Sequence, residues 1–151
     1  MKRATLSIAV AFAGTFTFSA CTGQDIPENK VPSVVVNALA EAFPTATDVE
    51  WEKQNGNFEA EFDSASTDYT VLLNATGAIV EAKHEITVAE LPEAVQNAIS
   101  VNYKDQQPDE VDLLEKDGQT FYQVELDGKV KETKLVFDAA GKEQTGFAYW
   151  D

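Results

Sequence analysis

Few residues in this 151-residue sequence have the chemistry that catalysis needs. His84 is the only histidine and Cys21 the only cysteine, so a Ser-His-Asp triad or a Cys-His pair would have to use His84. His84 alternates in step with Val80 and Ala82, which indicates a packed side chain on a strand. The sequence has no Gly-rich phosphate loop and too few histidines for a histidine metal site. We therefore predict no catalytic residue, no metal site and no cofactor.

The carboxylates form the second candidate group. Glu59 and Glu61 share a predicted strand face with Glu50 and Glu52 and could resemble the acid pair of a glycosidase. A solvated strand face explains the same spacing, and we favour it. Calcium binding stays open, although the sequence has no Asp-x-Asp-x-Asp-Gly loop. With 26 acidic and 11 basic residues, the net charge of −15 argues against a nucleic-acid partner.

The first twenty residues have the pattern of a targeting segment. Lys2 and Arg3 precede an uncharged, mostly apolar run over residues 4–18, which is too short to span a membrane. We predict a lipoprotein signal peptide over residues 1–20.

Cys21 is the predicted lipidation site. Residues 18–21, Phe-Ser-Ala-Cys, resemble the lipobox of bacterial lipoproteins, in which the cysteine sulfur takes a diacylglycerol. Ordinary secretion with cleavage after Ser19 is the alternative, and it would leave an unpaired thiol in an oxidising compartment. Residues 21–30 are polar and include Gly and Pro, which predicts a flexible tether.

Two stretches sixty residues apart have the spacing of amphipathic helices. Residues 31–43 and 91–103 both place apolar residues at i, i+3, i+4, i+7 and i+8. Pro32 and Pro92 stand early in these stretches, where the missing N–H of proline costs nothing. Each stretch therefore predicts a helix with one buried face.

Alternating segments follow each helix. Asn55-Gly56 indicates a type I′ hairpin turn, since both central positions of that turn need a positive φ. Apolar residues alternate with polar ones over four predicted strands of the first half: 48–53, 57–63, 69–73 and 78–86.

The second half repeats this order. Displacements of 60, 62 and 64 residues match Phe43 to Tyr103, Val49 to Val111, and Gly77 to Gly141. We predict an α+β fold in which a tandem duplicated module occupies residues 31–86 and 91–151. Each copy is a helix packed on a four-stranded antiparallel meander sheet.

The last strand of the second copy breaks the pattern. Val80, Ala82 and Ile86 lie on one predicted face in the first copy, whereas Phe147 and Tyr149 have the opposite parity. A β-bulge near Gly146 could reconcile the two copies, and the sequence leaves this open.

Three apolar residues, Leu72, Leu114 and Phe121, fall on the otherwise polar face of the predicted sheet, and Trp150 could lie near them. Clustered within an acidic rim, they predict a protein-binding patch. Single exposed apolar residues are common, and that is the alternative for Leu72 or Leu114 taken alone. The predicted protein-binding residues are Leu72, Leu114, Phe121 and Trp150.

A helix followed by four antiparallel strands, duplicated behind a lipoprotein signal, resembles the PepSY-like bacterial lipoproteins, and implies a β-lactamase-inhibitor-protein-like fold. The resemblance covers residues 31–150. It is carried by Val31-Pro32, Asp48-Val49-Glu50-Trp51, Asn55-Gly56, Gly77 and their second-copy counterparts. It implies an exported protein of the bacterial envelope, as in Bacteroidetes, that binds or inhibits a protein.

We therefore expect a non-enzymatic envelope protein, on the periplasmic or the outer side, held at the membrane by its N-terminal lipid only. Its sheet face would bind another envelope protein, such as a peptidase or other enzyme, and could inhibit it. The alternative is an envelope protein that binds a small molecule or a cation on the acidic face or in a groove between the modules.

Overall fold

Both predicted helices form, and each begins directly after its proline. The computed structural model describes residues 23–151, so the predicted signal peptide 1–20 and Cys21 lie outside the described residues. Helix α1 spans Ser33–Ala42 and helix α2 spans Glu93–Asn102. Each buries two side chains four residues apart, which is the repeat of one helix face: Val35 and Leu39, and Val95 and Ile99.

The strands form one antiparallel sheet of eight members in chain order. Strand β5 pairs with β6, so the meander of the first half continues into that of the second without a break. The strands are β1 Gln24–Asp25, β2 Thr47–Gln54, β3 Asn57–Ser64, β4 Thr67–Leu73, β5 Ile79–Glu85, β6 Gln106–Lys116, β7 Gln119–Gly128 and β8 Thr133–Asp138.

Two hydrophobic cores lie between the helices and one face of this sheet. The first is under α1 and the second under α2, because alternate residues of every strand point to that face. The buried residues of the first core are Val31, Val35, Leu39, Trp51, Phe58, Ala60, Phe62, Val71 and Leu73. Those of the second are Leu91, Val95, Ile99, Val111, Val124, Leu126, Leu135 and Phe137.

Two glycine turns hold the helices close to the sheet. Gly77 and Gly141 follow β4 and β8 with φ of +84° and +77°. A Cβ at Gly77 would lie 2.9 Å from the Val34 carbonyl oxygen, and one at Gly141 would lie 2.4 Å from that of Ala94. Glycine is therefore needed at both turns for conformation and for space.

The second half differs from the predicted module. The first half has the four predicted strands, β2–β5, but the second half has three, β6–β8. After β8 the chain makes one isolated bridge, Phe137 to Glu143, and then leaves the sheet edge. The opposite parity of Phe147 and Tyr149 arises because this segment crosses the other face of the sheet instead of adding a strand.

The structure also differs from the prediction of a flexible tether at residues 24–30. Strand β1 pairs with β2 through Gln24 opposite Lys53, and the Ile26 N–H donates to the Trp51 carbonyl at 2.9 Å. Residues 28–30 then form a 3-10 turn. The chain is thus held against the sheet edge from residue 24 onward.

Candidate protein-binding face

One face of the sheet has no helix on it, and we call it the open face. Side chains alternate between the two faces of each strand, so every second residue lies on the open face. Its charged members on β2–β7 are mostly acidic. They include Glu50, Glu52, Glu59, Glu61, Glu81, Lys83, Glu110, Asp112, Lys116 and Glu125.

An apolar cluster lies on the open face of β6, β7 and β8. Leu114, Phe121 and Val136 are only 1%, 5% and 4% exposed, although no helix covers them. The cover is the chain's own segment 143–151, which we call the strap. Three aromatic side chains of the strap pack against the cluster: Phe147, Tyr149 and Trp150.

The strap begins at the sheet edge and then turns onto the face. The Gln144 N–H donates to the Val136 carbonyl at 2.7 Å, which is the last main-chain bond to the sheet among the described residues. Phe147 and Tyr149 then point to the sheet, whereas Ala148 between them is exposed. The strap is held beyond that point by its side chains and by one carbonyl.

Each aromatic ring of the strap lies under one lysine ammonium of the open face. Such cation–π contacts contribute about 0.5–1 kcal/mol at exposed sites and more when desolvated. In addition, the rings of Phe121 and Phe147 lie 4.5 Å apart. The ammonium-to-ring pairs are Lys83 with Trp150 at 5.7 Å, Lys116 with Phe147 at 5.7 Å, and Lys134 with Tyr149 at 4.9 Å.

Trp150 makes the polar anchor of the strap. Its indole Nε1 donates to the Glu59 carboxylate at 2.9 Å, which links the strap to the first half of the sheet. Its carbonyl accepts from Lys83 Nζ at 2.8 Å and from Gln123 Nε2 at 3.3 Å. Lys134 also pairs with Asp151 at the end of the strap.

Two carboxylates near the strap are buried. Burial raises the pKa of Glu59, and the hydrogen bond from Trp150 offsets part of that rise. Burial also raises the pKa of Asp112, with Lys83 as the opposing charge at 3.7 Å. Charged carboxylates are thus disfavoured here unless a donor or a cation compensates them.

Two buried polar atoms in this region have no hydrogen-bond partner within residues 23–151, namely Gln123 Oε1 and the Tyr149 hydroxyl, and Asp112 Oδ2 has only the ion pair with Lys83 at 3.7 Å. An unsatisfied buried polar group costs about 1–3 kcal/mol. Asp112 and Gln123 lie directly opposite each other on β6 and β7. Burial raises the pKa of Tyr149, and the carboxylates around it, first among them Asp112, raise it further. The strap is therefore well packed but incompletely hydrogen-bonded.

The four predicted protein-binding residues do lie on one face, but they are not an exposed patch. Leu114, Phe121 and Trp150 come together in the strap cluster. Leu72 stands apart from that cluster, between its cross-strand neighbours Glu59 and Glu81, and is 7% exposed. For Leu114 and Phe121 the prediction of exposure is wrong, because the strap, a distant segment of the same chain, covers them, which strand parity does not reveal.

The sequence analysis did not identify the strap or the polar residues that contact it, such as Asp112 and Gln123. The signal for the strap was present, since the parity of Phe147 and Tyr149 did not fit a fourth strand. For Gln123 and Asp112, by contrast, the sequence has no signal beyond a polar position on an alternating strand. Their roles depend on contacts between residues far apart in the chain.

The open face of the first half is acidic, with Glu50 and Glu61 exposed and Glu59 buried beside Trp150. Glu50 lies opposite Glu61 and Glu52 opposite Glu59, so like charges face each other across β2 and β3. Burial first, and then the nearby Glu59, raise the pKa of Glu52. A groove of about 440 Å³ lies beside these carboxylates at the edge of β2, with Trp51 in its wall.

His84 lies on the helix side of β5. Its ring stacks on Tyr69 with centroids 5.0 Å apart, as expected for a packed side chain. Within residues 23–151 no group of three His, Cys, Asp or Glu side chains could hold a metal ion. In the same range, no helix is both long enough and apolar enough to cross a membrane.

The sequence matches the family model described as "Putative beta-lactamase-inhibitor-like, PepSY-like" over residues 11–81 and again over 67–144. The chain belongs to this family. The resemblance seen in the sequence is thereby confirmed. No curated protein matches the chain.

Solved structures from Bacteroides share the PepSY-like fold. A DUF2874 family protein from Bacteroides uniformis is 24% identical with a TM-score of 0.69, covering 74% of this chain and 85% of its own. A protein from Bacteroides eggerthii described among "putative periplasmic proteins" has 21% identity, a TM-score of 0.70, and coverage of 75% and 85%. A BLIP-like protein from Bacteroides fragilis has 23% identity, a TM-score of 0.64, and coverage of 75% and 82%. At these identities the likeness shows the fold alone.

Proposed function

We propose that this protein is a non-catalytic binding protein of the bacterial envelope, which binds and inhibits an exported enzyme through its open face. The β-lactamase-inhibitor-like description of the family and of one structural neighbour supports a protein partner in general. We further propose export by residues 1–20, a lipid anchor at Cys21, and an origin of residues 31–86 and 91–151 as copies of one module.

The facing carboxylates of β2 and β3 carry the proposal. Like charges directly opposite each other on neighbouring strands are destabilising, so Glu50 with Glu61 and Glu52 with Glu59 cost stability in the free protein. Four ion pairs join residues of the described range, and none of them includes these four glutamates. A partner with a lysine- or arginine-rich surface would relieve this repulsion and would be attracted to it at long range.

No catalytic step enters the proposal. The single histidine is packed against Tyr69 on the helix side of β5. The groove beside Trp51 could hold a small ligand, and the polar side chains of its wall are all carboxylates apart from the Trp51 indole.

Charge reversal tests the proposal. The double variant Glu50→Lys, Glu61→Lys reverses the charge at an exposed part of the open face, so it should repel a basic partner surface, and the partner should be recovered at least tenfold less from envelope extract. The matched control is Glu41→Lys, Glu93→Lys, which makes the same change in net charge on exposed helix positions. The control should recover the partner as the wild type does at equal ionic strength.

Equal recovery by all three proteins would contradict the open face as the binding surface. Retention of a Cys21→Ser chain in the membrane fraction would contradict the lipid anchor. The enzymatic activity of the recovered partner should fall when wild-type protein is added back. Unchanged activity would contradict the proposed inhibition but not the proposed binding.

A further inference from the structure

The strap fills a groove whose walls and floor are built for an extended chain. Without the strap, the open face of β6–β8 would present an apolar floor of Leu114, Phe121 and Val136. Three lysines border it, and each ammonium lies 4.9–5.7 Å from one strap ring. The groove therefore recognises aromatic rings by packing and by charge together.

The strap is held in a way that another chain could reproduce. A strand in the sheet would be tied by a ladder of main-chain bonds, but the main-chain groups of β6 and β7 are already used within the sheet. From Ala148 to Asp151 the described main-chain contact is the Trp150 carbonyl, which accepts from Lys83 and Gln123. Any extended segment with a carbonyl at that point and aromatic side chains at the same spacing could take its place.

The strap is also an imperfect occupant. Gln123 Oε1 lies in a residue that is 0% exposed and accepts no hydrogen bond within residues 23–151, and the neighbouring Asp112 Oδ2 has only the ion pair with Lys83 at 3.7 Å. The Tyr149 hydroxyl above them is equally unpaired. A segment that brings a hydroxyl or amide donor to this point would satisfy acceptors that the strap leaves unsatisfied.

We propose that the strap covers a peptide-docking groove, and that an extended segment of the partner protein displaces it, with aromatic side chains at the spacing of the strap and an acidic residue beside Lys134. This rests on the proposed function, since it names what part of the partner the open face takes. All three lysines already pair with carboxylates of the sheet, namely Asp112, Glu81 and Glu125. Lys134 also pairs with Asp151 of the strap, which favours an acidic residue at that end of the segment. A second copy of this chain is the less favoured source, because two chains of net charge −15 repel each other.

The test is competition with a peptide. The probe is a fluorescein-labelled peptide with the sequence of residues 143–151, and the receptor is the full chain carrying Phe147→Ala and Trp150→Ala. We expect the peptide to raise fluorescence anisotropy with this receptor and to bind wild-type protein at least tenfold more weakly, because the wild-type strap competes. Lys83→Met in the same receptor should weaken binding at least fivefold, and Lys104→Met, on the helix side, should not.

Two peptide variants distinguish specific docking from nonspecific hydrophobic binding. A peptide with both Phe147 and Trp150 replaced by Ala should not bind at tenfold higher concentration. A peptide with Tyr149→Phe should bind at least as tightly as the original, because the hydroxyl that it removes has no partner. Near-ultraviolet circular dichroism confirms that each receptor is folded.

A folded receptor that does not bind the peptide, or equal binding to receptor and wild type, would overturn the proposal. If the receptor does not fold, Trp51→Phe in the full chain leaves Trp150 as the fluorescent reporter. Excess Trp150→Phe peptide should then shift its emission to the red, and no shift would overturn the proposal. If the wild-type protein is a dimer and Phe147→Ala with Trp150→Ala makes it a monomer, the occupant of the groove is a second copy of this chain, and the proposed partner segment is wrong. None of these assays changes Glu50 or Glu61. A negative result in them would therefore contradict the peptide-docking groove without contradicting the proposed function, which the charge-reversal variant tests separately.

Discussion

The substitution Trp150→Phe isolates one hydrogen bond between the strap and the first half of the sheet. It keeps an aromatic ring on the open face but removes the indole N–H that donates to Glu59 at 2.9 Å. Glu59 is 4% exposed, so water cannot simply replace the donor. Burial already raises the pKa of Glu59, and losing the Trp150 bond raises it further.

The expected cost has two parts. A smaller ring at a half-buried site gives up about 1 kcal/mol, from about 0.8 kcal/mol for each buried CH₂. A buried carboxylate that loses its donor costs about 1.5–3 kcal/mol while it is charged. We therefore expect Trp150→Phe to lower the free energy of unfolding by about 2–4 kcal/mol at pH 8.

The pH dependence gives the sharper test. A carboxyl with a raised pKa in the folded state binds its proton more tightly there than when unfolded. The stability that this gives is fully present below the unfolded pKa and is lost as pH rises through the folded pKa. Trp150→Phe raises the folded pKa further, so its destabilisation should be larger at pH 8 than at pH 5, which is still above the pI of about 4.3.

The assay is urea denaturation of wild type and variant at both pH values, followed by far-ultraviolet circular dichroism. Trp51→Phe is the control, because the Trp51 indole N–H is buried with no acceptor within the described range. It should lower stability by its cavity alone, by the same amount at both pH values. An equal effect of Trp150→Phe at pH 5 and pH 8 would refute the role assigned to Glu59.

Two further substitutions test the packing of the sheet. Gly141→Ala should lower the free energy of unfolding by about 3–4 kcal/mol, of which about 1–2 comes from the positive φ and the rest from a Cβ 2.4 Å from the Ala94 carbonyl oxygen. The control Gly56→Ala, at φ +87° with open space around it, should cost only the φ contribution. Equal urea midpoints for the two variants would show that the Gly141 turn is not tight. Lys83→Met should lower the free energy of unfolding by about 3 kcal/mol, because it leaves the buried Asp112 carboxylate without its cation. Adding Asp112→Asn should restore at least half of that loss, measured by thermal unfolding. A further loss of stability in the double variant would mean that Lys83 acts through the strap alone.

Local periodicity is sufficient to predict most of the helices and strands of this fold. The spacing of apolar residues over 31–43 and 91–103 predicted both helices, because a helix brings residues three and four apart to one face. Asn55-Gly56 predicted the first hairpin, since Asn55 and Gly56 have φ of 50° and 87°. Strand alternation likewise predicted the four strands of the first half, which form as β2–β5.

Strand parity tells which face of a sheet a side chain occupies, but it says nothing about what covers that face. The sequence by itself determined the family, the two helices and the strands of the first half. The tertiary structure alone decided that β5 and β6 join the halves into one sheet, and that residues 143–151 cross the open face as a strap. The physical reason is that these outcomes depend on contacts such as Trp150 with Glu59, 91 residues apart, whose free energy no local pattern contains.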